Sequence, residues 1–412
     1  MGINLKVIKN RKFVSLWISQ LLSQLTINML SFLILVRLYE QTGSSIATSL
    51  LWISYTIPAL IVGPFAAALV DWIDRRKTLM ITNFLQATIV LIYAFVSGRH
   101  IIFLPYALVF TYSFLNQFYV PAEAATLPSV VEKKDLPEVN GLFFLTQQAS
   151  LMLGFGLSGI LVKLVGFKVS AIIAAVNLFI AFISVSFLPK QKSRKIIFSK
   201  DIEDQITKFF KEIVEGYRFI KDNSNILSPF LLLLVLQVLL SVILVSLPVI
   251  ATQIVKVKAN DSGLLIVTPA SIGAVAATLS ITKMLKGRVR KKNVIEGALA
   301  LLSLNLIAIL FIQFIEGPFK IFASLILFAT IGYLFVTSLI PSITFLQEQT
   351  PGGLMGRVFG NFWFLASLAT LFPVILSGTI ADILGADSII LILSFILLTI
   401  FVLSKVYNKI SI

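Results

Sequence analysis

Apolar runs long enough to cross a bilayer recur along nearly the whole of this 412-residue chain. One helical crossing takes roughly 20 apolar residues, and about twelve runs meet that window. They read as 13–38, 46–70, 78–98, 101–124, 140–164, 168–188, 227–252, 261–284, 293–314, 319–345, 356–381 and 387–406. Polar connections separate them, all short except one. The fold class this predicts is an all-α polytopic membrane protein, twelve transmembrane helices in two six-helix halves. With 58% hydrophobic and 13% charged residues and a mean hydropathy of +0.97, the chain lacks the polar surface a soluble protein of this size needs. So many crossings with so little soluble mass suit movement of a solute across a membrane better than its transformation in water.

The net charge of +15 raises the question of a nucleic-acid partner, and its distribution answers it. If the N-terminus is cytoplasmic, alternate connections place all but seven of the 34 Lys and Arg on that side. The seven are Arg37, Arg99, Lys163, Lys168, Lys256, Lys258 and Lys320. This is the asymmetry that orients membrane helices, so the basic balance needs no nucleic acid. It predicts a multi-pass protein of a bacterial plasma (inner) membrane with both termini cytoplasmic. The basic segment Lys6–Lys12 leads into a full-length span with no small-residue cleavage site, and so reads as a retained anchor.

The long connection, 189–226, divides the chain into an N-terminal half, 1–188, and a C-terminal half, 227–412. Beyond Asp201, Ile202, Ile206, Phe209, Ile213, Tyr217 and Ile220 recur at helical spacing among Lys and Glu. That pattern predicts an amphipathic helix on the cytoplasmic membrane face, serving as a structural linker. Pro58 and Gly63 before Arg75–Lys77 echo Pro269 and Gly273 before Lys286–Lys292, a faint trace of duplication.

Cysteine is absent and there is one histidine, His100, in a short loop. Disulfides, thiol nucleophiles and Cys-ligated metal are excluded. With no H-E-x-x-H pattern and no Gly-rich phosphate loop carrying Lys, neither a metal nor a cofactor is expected. A polytopic membrane enzyme is a remote alternative, and the reading is that the chain is not an enzyme.

The sharpest local signal is the stretch Gly63-Pro64-Phe65-Ala66-Ala67-Ala68-Leu69-Val70-Asp71-Trp72-Ile73-Asp74-Arg75-Arg76-Lys77. Gly63 and Ala67 share a helix face and would let another helix approach closely. Asp71 and Asp74 sit beside three cations at the span's end, where ionic contacts form and break at an aqueous interface as a gate requires. The same residues also suit a plain topogenic charge cluster.

This stretch resembles the loop 2–3 signature of the major facilitator superfamily, in the form seen in bacterial macrolide and enterobactin exporters. Ser23-Gln24-Leu25, Leu38–Ser44, Pro121-Ala122-Glu123-Ala124-Ala125 with Pro128, and Glu215–Phe219 agree with that branch. So do Gly356-Arg357-Val358-Phe359-Gly360 and Ser377–Asp382. Ala67 stands where the signature has Gly, Trp72 where it has a basic residue, and Ile27 where many relatives are acidic. The resemblance implies the major facilitator fold, alternating access, and a cytoplasmic gate formed by 63–77 and 348–360. The gating residues are then Gly63, Asp71, Asp74, Arg75, Arg76 and Arg357.

Within the membrane interior an ionisable residue is costly and functional by default. Glu123, near the cytoplasmic end of span 4, is the candidate for proton coupling, and pairing with Arg75 or Arg76 is its alternative. Tyr112, Asn116 and Tyr119 share its helix face. Gln20, Gln24 and Asn28 form a stripe in span 1. With Tyr112, Asn116, Gln147, Gln237 and Asn361 they either line a substrate path or hydrogen-bond between helices. Such an interior suits an amphipathic or hydrophobic solute and suits a multiply charged anion poorly.

The expectation is a secondary active exporter of drug, macrolide or siderophore type, a multidrug-resistance antiporter coupled to protons or another ion. A lysophospholipid or metabolite transporter or facilitator of the same fold is the alternative. Its partners are a small-molecule substrate, membrane lipids and the coupling ion. One chain holds both halves, so a monomer suffices.

Overall fold

The computed structural model describes residues 9–70, 73–99, 101–132, 135–190, 207, 211, 214–286, 290–351 and 354–406. Asp71, Trp72, His100 and most of the 189–226 connection lie outside these. The described residues are helical nearly throughout and contain no strand. The helices are α1 (Arg11–Thr42), α2 (Ser45–Val70), α3 (Arg75–Val96), α4 (Phe103–Val130), α5 (Leu136–Ser186), α6 (Ser224–Val249), α7 (Thr268–Lys286), α8 (Lys291–Leu310), α9 (Pro318–Gln349), α10 (Met355–Leu384) and α11 (Ala386–Val406).

Ten helices among the described residues are long and apolar enough to cross a membrane. One of these holds two of the expected spans: α5 bends at Gly166, whose φ of 76° and ψ of 168° lie outside the helical region and are open to glycine at no steric cost. The α4 helix, 28 residues with Pro121, Pro128 and Glu123 inside it, is also of membrane length, though its composition leaves it outside those ten. Counting the bend as two, the described residues carry twelve membrane-length segments, as the hydropathy pattern predicts.

The chain forms two compact units, Met1–Arg37 with Ile53–Phe209, and Leu38–Trp52 with Phe210–Ile412. In the first unit the core at the charged-turn end joins Phe13 and Leu16 of α1, Leu79 of α3, Tyr119 and Leu127 of α4 and Val185 of α5. Trp17 Nε1 donates to Thr146 Oγ1 at 2.8 Å and Asn10 Nδ2 to the Val130 carbonyl at 2.7 Å. At the opposite end Arg37 donates to the Ser97 carbonyl at 2.6 Å and lies 4.0 Å over the Phe167 ring.

In the second unit α7 and α9 touch backbone to backbone. A Cβ added at Gly273 would stand 1.8 Å from the Ala329 carbonyl oxygen, and one at Gly332 would stand 1.7 Å from that of Ala270. Small residues at such a seam maximise van der Waals contact where apolar burial gives little drive between helices. The α8 and α11 helices are joined by Ser303 and Ser394, each donating to the other's carbonyl at 2.9 and 3.0 Å. At one end of this pair Glu296, buried, meets Lys405 Nζ at 2.6 Å and Lys292 Nζ at 3.9 Å and accepts from Ser404.

The linker helix differs from its sequence reading. Residues 214–222 are helical, but Ile220 is buried in a cluster with Phe230, Leu233, Leu346, Val358 and Phe362. Tyr217 and Val214 stay exposed. The last turns dock into the second unit's core through Ile220, with Phe219 packed against the same cluster.

Candidate functional site

The first unit holds a buried polar chain that starts at Glu123. Two pairs at i, i+4 spacing build it, Ser19 with Ser23 on α1 and Tyr119 with Glu123 on α4; Asn83 on α3 joins them. Tyr119 OH donates to Glu123 Oε1 at 2.9 Å and lies 3.0 Å from Ser19 Oγ. Asn83 Nδ2 donates to Ser19 Oγ at 3.0 Å, and Ser23 Oγ donates to Asn83 Oδ1 at 3.1 Å. With Glu123 ionised, the tyrosine gives it its one proton and Ser19 then donates to the tyrosine. Every donor in the chain therefore points toward the carboxyl: Ser23 to Asn83, Asn83 to Ser19, Ser19 to Tyr119, Tyr119 to Glu123. Such an aligned series polarises each member and supports negative charge at its end. Asn83 and Ser19 are both wholly buried.

Sequence reasoning found Glu123 and Tyr119 but missed Ser19 and Asn83. The available signal was an asparagine in the middle of an apolar span, since a buried amide must find partners. Arg75, offered with Arg76 as an alternative partner of Glu123, donates to the Ala125 carbonyl at 2.8 Å, two residues beyond Glu123 on α4.

The amide stripe on α1 divides. Gln20 is buried and donates to the Phe143 carbonyl on α5 at 3.1 Å, an interhelical bond. Gln24 and Asn28 are half-buried, and Asn28 Nδ2 turns back to the Gln24 carbonyl at 2.8 Å. Asn28 also packs on Gly154, where an added Cβ would stand 2.6 Å from Asn28 Cβ. Tyr112 is buried, with its carbonyl accepting from Gln86 at 3.3 Å. Asn116 hydrogen-bonds Tyr55. Gln147 is exposed. In the second unit Gln237 is half-buried and Asn361 wholly buried.

Of the gating candidates, Asp74 caps α3, accepting from the backbone N–H of Arg76 at 3.0 Å and of Lys77 at 3.4 Å. This satisfies two of the four free amides at a helix start. Arg76 donates to the Ser186 carbonyl at the end of α5. Asp71 lies outside the described residues. Arg357 is in the first turn of α10, its side chain outside them too. Among the described residues, the close approach expected at Gly63 is not found: a Cβ at 63 would meet Gln117 Oε1 at 3.5 Å, an ordinary contact.

A second constellation was unforeseen in detail. Asp382, at the end of α10, receives the start of α2. Its Oδ1 accepts from Ser45 N at 2.6 Å, and its Oδ2 from Ser44 Oγ at 2.7 Å and Ile46 N at 3.1 Å. One turn earlier, a Cβ at Gly378 would stand 2.3 Å from Ser49 Oγ and 2.7 Å from the Ser45 carbonyl oxygen. Asn260 donates to Glu40 at 2.6 Å, and Tyr39 OH lies 3.2 Å from Thr252 Oγ1. A carboxylate at a helix N-terminus is favoured by the amide donors and the helix dipole together.

The sequence model of the Major Facilitator Superfamily matches residues 16–374. The chain belongs to this superfamily. It is 28% identical over 180 residues to "Uncharacterized MFS-type transporter YjbB" of Bacillus subtilis (strain 168), covering 43% of this chain and 44% of that one. It is 26% identical over 231 residues to "Macrolide efflux protein A" of Streptococcus pyogenes, covering 54% of each. These matches thus span about half the length of each relative. The nucleoside transporter NupG, as its D323A mutant, superimposes with a TM-score of 0.74 over 95% of this chain and 98% of that one, at 14% identity. The fold is that of a multi-pass protein of this superfamily, as the resemblance implied.

Proposed function

We propose that this transporter exports small amphipathic or hydrophobic solutes by alternating access, driven by proton entry through Glu123. The observation that carries the reading is the donor chain converging on Glu123. It offers an ionised carboxyl the stabilisation that membrane interiors otherwise deny, while leaving it buried enough to bind a proton. Similarity to a macrolide efflux protein supports the direction and the solute class. Half-buried Gln24, Asn28 and Asn116 supply hydrogen bonds to an uncharged solute, and Gln147, Gln237 and Asn361 are further path residues. Gly63, Asp71, Asp74, Arg75, Arg76 and Arg357 form the cytoplasmic gate. The protein works as a monomer in the plasma membrane with both termini cytoplasmic.

The test is drug accumulation in an efflux-deficient bacterium expressing the chain. Wild type lowers accumulation of lipophilic drugs, and a protonophore abolishes the effect. Glu123→Gln keeps an acceptor for Tyr119 and so inserts normally, but loses protonophore-sensitive export. Tyr119→Phe removes one hydrogen bond to a charged group and weakens export about 10-fold. Asp71→Asn inserts normally and transports poorly. Full export by well-expressed Glu123→Gln would return Glu123 to a structural role. If no drug responds, a lipid or metabolite solute takes the place of drugs.

A further inference from the structure

We infer that the face between α3 and the end of α5 is a binding site for one anionic phospholipid. A furrow of about 330 Å³ is lined by Lys77, Met80, Ile81, Phe84 and Leu85 of α3 and by Phe182 of α5. The α3 positions fall at i, i+3, i+4, i+7 and i+8, a single helix face. No polar atom contributes to the furrow's surface; whatever fills it needs no hydrogen bond below the mouth. At the mouth stands Lys77, exposed.

Depth and charge together name the occupant. From Lys77 to Leu85 the helix rises about 12 Å, close to the roughly 15 Å of hydrocarbon in one leaflet. A cation at headgroup level above a dry slot one leaflet deep matches a phosphate above an acyl chain. The slot is also preformed. Phe84 packs against Phe182 and Phe179 with ring centroids 5.5 and 5.9 Å apart, and Arg76 ties the first turn of α3 to the Ser186 carbonyl. Among the described residues, the charged groups on the turn at the mouth are Asp74, engaged in capping α3, with Arg75 and Arg76. Their balance is positive, which favours an anionic over a zwitterionic headgroup. By the proposed topology this is the cytoplasmic leaflet, where anionic lipids attract basic residues.

The full-length protein in mild detergent, mixed with phosphatidylglycerol or phosphatidylcholine of identical acyl chains, would be examined by native mass spectrometry. Wild type should retain one phosphatidylglycerol under activation that strips phosphatidylcholine. Lys77→Gln should lower that occupancy about 5-fold, the factor that ~1 kcal/mol per surface lysine gives. Lys77→Arg should preserve it. Ile81→Trp, at an exposed position, should fill the slot and lower retention of both lipids. Equal retention of the two lipids by wild type, or an unchanged preference in Lys77→Gln, overturns the site. So does unaffected retention in Ile81→Trp, or a dimer that forms in place of the lipid complex.

Discussion

Gly332→Leu should yield little or no folded protein, and Gly332→Ala should lower stability by about 3 kcal/mol or more. The Cβ that alanine adds would stand 1.7 Å from the Ala270 carbonyl oxygen and 2.5 Å from its carbon. Both are backbone atoms, so relief requires α7 and α9 to move apart. Separation at this point also opens the reciprocal contact at Gly273, because the two glycines face opposite backbones along one seam. Gly297→Ala is the control: nothing lies within 4 Å of its added Cβ. Alanine's helix propensity there should leave stability unchanged or raise it by up to about 1 kcal/mol. Thermal unfolding of the detergent-solubilised proteins checks both. Equal midpoints for Gly332→Ala and wild type would show that the seam yields.

Asp382→Ala should release the α1–α2 turn. The lost interaction is an exposed carboxylate on a helix N-terminus contacting three donors, a geometry worth about 1 kcal/mol. The readout is clean because the native chain has no cysteine. Ser49 is wholly buried, so a Ser49→Cys reporter reacts with an impermeant maleimide only when the turn detaches. A change of ~1 kcal/mol corresponds to about 5-fold faster labelling in the Asp382→Ala background. Transport should fall in parallel, since this turn belongs by packing to the second unit while both its helices continue into the first. Identical labelling rates would remove the holding role given to Asp382.

The helices were legible in the sequence because a membrane span must be both apolar and about 20 residues long, and both show in hydropathy. The α4 span was legible despite two prolines and a glutamate. The Asp71–Lys77 charges located a turn, and Asp74 indeed caps α3 at its end. Pairing over distance stayed hidden. Ser19 and Asn83 are 64 positions apart, and nothing local marks them as partners of Glu123. Gly332 and Gly273 read as ordinary helix glycines until α7 and α9 are brought together. Gly63, within a recognised signature, looked like the close contact, but among the described residues its added Cβ would meet only Gln117 Oε1 at an ordinary distance. Glu296 was hidden by position: it lies just past the basic run that ends at Lys292, at the start of an apolar span, and only the fold brings Lys405 onto it.

The attachment of α2 to Asp382 also bears on how the protein is made. Ser44 offers a local cap to Ala47 N at 3.3 Å, but the amides of Ser45 and Ile46 take theirs from a residue more than 330 positions downstream. At roughly 5–20 residues per second of synthesis, on the order of half a minute passes between insertion of the first hairpin and the arrival of its acceptor. For that interval the nascent chain carries an unfinished helix start that water or lipid headgroups must satisfy. Translation through α10 therefore completes the first hairpin, and a ribosome stalled before α10 leaves the start of α2 without its carboxylate.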